Sequence, residues 1–124
     1  HFQHLPPTAD LGATLAQLIW DWLQDREAYM VTVEIFASAM RHESVREIAR
    51  SWDQAWIDAL APRVGYAHAL VCVCAAHGYI QRSLLQEDPP TLEEVTTVMR
   101  LSLGEMVDDA LQLAESPPAR WGKF

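Results

Sequence analysis

Apolar residues recur along this chain at steps of three and four, the spacing of amphipathic helices, and no stretch alternates as a strand would. Turn signals cut the pattern into five segments. After an extended lead-in over residues 1–7, Thr8 and Asp10 are good N-caps for a helix to about residue 24. Its stripe is Leu11, Leu15, Leu18, Ile19 and Trp22. The charged run Asp25-Arg26-Glu27 breaks it. Tyr29, Val33, Phe36, Ala37 and Met40 form the second stripe, which ends near Arg41-His42. Ser44 is placed to cap the third helix, whose stripe is Val45, Ile48, Ala49, Trp52, Trp56, Ala59 and Leu60, stopped by Pro62. A fourth helix is expected over about 64–85. A fifth starts with Thr91 and Glu94 as a capping box and runs to about residue 114, before Ser116-Pro117-Pro118 and a tail over 117–124. The pattern predicts one all-α domain, an antiparallel bundle of about five helices.

The last two helices carry more apolar surface than one core requires. The fourth is apolar on all sides from Tyr66 to Ile80, and a helix apolar all round must be buried all round. The fifth has Val95, Met99, Met106, Ala110 and Leu113 on one face, with Leu92, Val98, Leu101 and Leu103 spread over others. A two-fold dimer, with these helices packing on their copies as a four-helix bundle, accounts for both. Its expected interface is Ala75, Gly78, Tyr79, Val95, Met99, Ser102, Met106, Ala110 and Leu113, and Gly104 adds to the small residues that permit close approach. The alternative, a fourth helix central to a monomer, explains that helix but explains the fifth less well.

Composition narrows the partners. The 124 residues contain no linker able to divide them, so a single domain is expected. Nine basic against seventeen acidic residues leave a net charge of −8, which argues against this segment gripping DNA or an anionic membrane. The longest apolar block, 64–80, is interrupted by Gly65, His68, His77 and Gly78 and is about one turn short of a span of ~20 residues. Cys72 and Cys74 point about 200° apart on a helix, so they neither bond to one another nor share a metal, and small buried side chains are the simpler reading. No secretory signal is present, and cytoplasm is the expected compartment. The chain starts at His1, so a piece of a longer product is expected.

The stretch from Ala75-Ala76-His77-Gly78-Tyr79-Ile80 through Gln81-Arg82-Ser83-Leu84-Leu85, followed by Asp88-Pro89-Pro90-Thr91-Leu92-Glu93-Glu94-Val95, resembles the end of TetR-family regulators. There an apolar helix passes through a Gly and a bulky apolar residue, and a short acidic Pro turn leads to a final helix with acidic residues at its start. Upstream, the Leu-rich first helix, the Arg41-His42-Glu43-Ser44 break, Val45-Arg46-Glu47-Ile48 and the Trp-bearing helix are similar too. The resemblance implies a C-terminal domain that dimerises through its last two helices and encloses a small-molecule pocket. Ligand binding there would control two N-terminal helix-turn-helix heads on operator DNA. No such head is present: Ser44-Val45-Arg46-Glu47-Ile48-Ala49-Arg50 looks like its first helix, but Ser51-Trp52-Asp53-Gln54-Ala55-Trp56 continues without the turn. DNA contact is therefore expected only through a domain upstream of His1.

Pocket candidates come from the inward stripes: Trp22, Tyr29, Phe36, Met40, Trp52 and Trp56, with Tyr66 and His68 nearby. Plain core packing is the competing reading for each. Trp52 and Trp56, one turn apart, are best placed to stack on a flat or greasy ligand. His68 and His77 point about 180° apart and cannot share a metal. His68 is the one expected nearer the pocket, while Glu34, bordering the Tyr29–Phe36 stripe, and Asp53, beside Trp52, are placed to meet a cation, with a solvated helix edge the favoured reading for both. No metal-binding His-Glu-x-x-His, nucleophile elbow or phosphate loop is present, so neither cofactor, metal nor enzymatic activity is expected. The leading expectation is an effector-sensing, dimerising domain of a regulator, a repressor; an all-α interaction domain without a ligand is the alternative. A ligand-sized cavity near Trp52 and Trp56 would favour sensing, and a solid core the adaptor.

Overall fold

A computed structural model describes residues 10–105. These form five helices and no strand: α1 (Leu11–Leu23), α2 (Arg26–Ala39), α3 (Glu43–Val64), α4 (Tyr66–Leu85) and α5 (Leu92–Ser102). The Asp10 carboxylate caps α1 by accepting from the Ala13 amide at 3.0 Å, and Asp25 caps α2 through Ala28 at 3.2 Å. Thr91 caps α5 by accepting from Glu94 N–H at 3.1 Å. The Glu94 side chain itself accepts from the Tyr79 hydroxyl at 3.1 Å, tying α5 to α4.

Three boundaries differ from the sequence expectation. α3 starts at Glu43, one residue before Ser44, and its N-cap His42 makes no side-chain cap bond. The turn before it is held from the other side. Arg46 reaches back to donate to the carbonyls of Ala39 (3.0 Å) and Met40 (3.2 Å), closing the end of α2. Pro62 lies inside α3 and does not end it. Its missing N–H costs one helical hydrogen bond, but the helix continues to Val64 and Gly65 N–H bonds Ala61 O at 2.8 Å. Gly65, at φ +85°, is the whole connection between α3 and α4. Lastly, α5 stops at Ser102, not near 114. Gly104 takes φ +84°, its N–H bonds Leu101 O (3.0 Å), and Glu105 N–H bonds Arg100 O (2.9 Å). This is a Schellman stop, for which glycine is the preferred residue.

Each helix packs on its neighbour in sequence and α5 packs back on α1, so the five close into a ring; α1 also touches α4. Ring closure rests on a close approach. A Cβ on Gly12 would lie 2.6 Å from Arg100 Cγ and 3.4 Å from Arg100 Cα. The Arg100 guanidinium in turn pairs with Asp10 at the start of α1. Leu11, Leu15 and Ala16 of α1 and Val95 and Met99 of α5 are buried at this seam. α1 and α3 make no extended contact across the ring, and that gap is where the cavity lies.

The α4 helix is not buried all round. Ala69, Cys72, Val73, Tyr79 and Ile80 are buried, but Tyr66, Leu70, Val71 and Cys74 are exposed. Among the expected interface residues, Tyr79, Val95, Met99 and Ser102 are buried within their own chain. The apolar excess on those faces is spent on α1–α5 and α4–α5 packing. Ala75 is half-buried and Gly78 is exposed. Met106, Ala110 and Leu113 lie outside the described residues. None of the described helices is long and apolar enough to cross a membrane.

Candidate ligand-binding site

All five helices contribute to a cavity of about 480 Å³. Its inner wall is built of buried side chains: Leu15 of α1, Leu60 of α3, Cys72, Val73 and Ile80 of α4, and Met99 of α5. Leu18, Ile19 and Trp22 continue the α1 wall, and Thr32 and Phe36 come from α2. Trp52 and Trp56, one turn apart on α3, are 45% and 46% exposed, so they mark the mouth. Asp53 and His77 lie at the same side, with side chains 39% and 37% exposed. A cavity of this size, mostly apolar with a few polar groups, has the character of a small-molecule site.

The polar groups come from two helices. His77 Nε2 lies 3.1 Å from Asp53 Oδ1, joining α4 to α3. The Phe36 ring is tilted against the His77 imidazole, with centroids 4.7 Å apart at 58°, which fixes the third side of that corner. Deeper in, burial pushes the Cys72 thiol above its ordinary pKa, and a hydrogen bond with Ser102 only partly opposes this. Cys72 is therefore held as an unreactive thiol. No group of three or more His, Cys, Asp or Glu among the described residues is arranged to hold a metal ion.

Of the eight pocket candidates, Trp22, Phe36, Trp52 and Trp56 all line the cavity, from α1, α2 and α3. Tyr29 is buried behind it: its ring meets Trp22 edge-on at 6.5 Å and 66°, so it props the wall without lining it. Met40 is the residue just past the end of α2 and is 81% exposed, where the helical stripe no longer has a neighbour to face. Tyr66 opens α4 and is 61% exposed, at the Gly65 turn. His68 also stays off the cavity. Its ring abuts Gly104, where a Cβ would come within 2.6 Å of Nε2, and its Nδ1 lies 3.2 Å from Val64 O. The cavity histidine is His77, and its partner is Asp53. The sequence held one usable sign of this: His77 is four residues after Val73 and three before Ile80, on the buried face of α4.

A model of the family described as "Tetracyclin repressor-like, C-terminal domain" matches residues 6–115. No curated protein and no solved structure shows a match to the chain. Domains of the matched family belong to transcription regulators, which are not enzymes. With five helices in the described residues and a match over most of its length, this chain belongs to the tetracyclin repressor-like (TetR) C-terminal domain family.

Proposed function

We propose that this domain is the effector-sensing and dimerising part of a TetR-like transcriptional repressor, with a small, largely apolar or aromatic molecule as effector. The observation that carries the reading is the 480 Å³ cavity at the centre of the helix ring, walled by Trp22, Phe36, Trp52 and Trp56. An interaction domain without a ligand would favour a filled core at this place. DNA would be contacted by a helix-turn-helix domain outside this chain, and the effector would shift the population between DNA-competent and released dimers by binding one of them better.

The dimer surface that fits this reading is the outer stripe of α4. Val71, Cys74 and Gly78 follow one another at helical spacing and are exposed. Among the described residues, a Cβ on Gly78 would meet nothing within 4 Å. Its missing side chain serves no packing against them, and it leaves room for a second backbone to approach closely.

The test is a titration with N-phenyl-1-naphthylamine, a neutral probe that becomes fluorescent in apolar surroundings. Saturable binding near one probe per chain is expected, with quenching of tryptophan emission, and Trp56→Ala should weaken it roughly five- to tenfold. Unsaturable uptake, or a Trp56→Ala variant with unchanged affinity, would place the site elsewhere.

A further inference from the structure

The polar atoms on the cavity wall share one character. Thr32 Oγ1 donates to Ala28 O at 3.2 Å and so keeps only lone pairs for a ligand. An ionised carboxylate only accepts, so the 3.1 Å contact makes His77 Nε2 the donor to Asp53. Among the described residues, Thr32 and Asp53 thus offer acceptors on the wall, beside the indole N–H groups and the weakly polar Cys72 thiol. Neither Lys nor Arg is among the described residues that line the cavity, and Asp53 is the one carboxylate among them. Trp52 immediately precedes Asp53, and Trp56 follows one helical turn later on the same rim.

We propose that the effector is a flat aromatic cation, with its charged nitrogen at the mouth against Asp53 and its ring system on the tryptophans. This rests on the small-molecule reading above and adds the sign of the ligand's charge. Aromatic faces attract cations through their quadrupole, most strongly Trp. The Asp53 carboxylate supplies the counter-charge, and its partial exposure keeps the desolvation cost of the pair low. An anionic ligand would instead bring its charge against Asp53, with no Lys or Arg among the described wall residues to receive it. The net charge of −8 acts in the same direction at longer range by concentrating cations around the protein.

Three acridines of one ring system and different charge test this by isothermal titration calorimetry at neutral pH on the purified protein. They are 9-aminoacridine (cation), acridine (neutral) and acridine-9-carboxylate (anion). The cation should bind about tenfold tighter than neutral acridine, and the carboxylate more weakly than either. Asp53→Asn should remove the cation's advantage while leaving neutral acridine within about twofold of its original affinity. Circular dichroism shows whether that variant is folded. If it is not, Asp53→Glu, which keeps the charge, should keep the preference, and Trp52→Leu should weaken the cation more than the neutral ring. Equal binding of cation and neutral, or tightest binding of the carboxylate, overturns the charge assignment and leaves the small-molecule reading standing. If none of the three binds while N-phenyl-1-naphthylamine does, the flat-cation assignment falls alone. If all four fail, both readings fall.

Discussion

Asp10 does two jobs with one carboxylate. It accepts from Ala13 N–H as the cap of α1 and pairs with Arg100 from the end of α5. Both hold its pKa below the usual carboxylate value, the backbone hydrogen bond first and Arg100 second. A depressed folded-state pKa means that the contribution is present above the unfolded value of about 3.8 and is lost as pH falls through the folded one. Replacing Asp10 with Ala should cost about 1 kcal/mol at neutral pH, chiefly the cap. The gap between wild type and variant should close as urea titrations are taken into acid, because the protonated wild type loses the same interactions. A gap independent of pH would contradict this assignment. The two histidines of α4 show what a sequence can and cannot reveal at this scale. The spacing of His77 from Val73 and Ile80 signals an inward face, yet the expectation fell on His68, and the partner of His77, Asp53, lies 24 residues away on another helix. Only the packing of α3 on α4 brings them together.

Helix stops are where the elements departed most from expectation. The caps Asp10 and Thr91 were readable because an acceptor at an N-cap has a fixed local partner. Pro62 and Gly104 were not, since each depends on what surrounds it. Pro62 sits two residues before the end of α3, where it costs a helical hydrogen bond without ending the helix, and Gly104 looked like a small residue in a longer helix until its backbone turned. The ring of His68 now sits where a Cβ on residue 104 would project. Gly104→Ala should therefore cost about 1–3 kcal/mol, combining a positive φ with a steric clash. In a His68→Ala background the cost should fall to about 1 kcal/mol, the backbone component alone. Chemical denaturation of the four proteins of that cycle measures it; equal penalties in both backgrounds would mean that the ring does not press on this turn. The stripes themselves were informative where helices have neighbours on both sides, as at Trp22, Phe36, Trp52 and Trp56. They misled at helix ends, where Met40 and Tyr66 run past the wall.

In the molecule as a whole, the surplus of apolar side chains among the described residues goes to helix packing around α5, to the lining of a central cavity and to exposed positions that include the outer stripe of α4. Patterning shows the surplus but not the division, because a residue facing an empty cavity and one facing a partner chain have the same periodicity. Cys74 and Cys72 tell the two apart experimentally. Cys74 is exposed on the stripe, whereas Cys72 is buried against the cavity with its thiol pKa raised. If α4 packs on its copy, a short bis-maleimide should link two chains through Cys74, and Cys74→Ser should abolish the product while Cys72 stays unmodified. A wild-type protein that remains uncross-linked, with Cys74 freely alkylated, would move the interface away from this stripe.

Gly65 gives the cavity a gauge. It is the lone residue between the two long helices, and a Cβ there would touch nothing within 4 Å among the described residues, so none of their side chains braces that corner. Asp53 and His77 each lie twelve residues from it (65 − 53 and 77 − 65), which places both roughly 18 Å out along their arms. The two helices form a pair of dividers with equal legs, and the 3.1 Å hydrogen bond spans the points. At that radius, spreading the legs by one degree separates the points by about 0.3 Å, so two or three degrees exceed the reach of the bond. A guest that wedges α3 from α4 even slightly would be registered as the breaking of one contact.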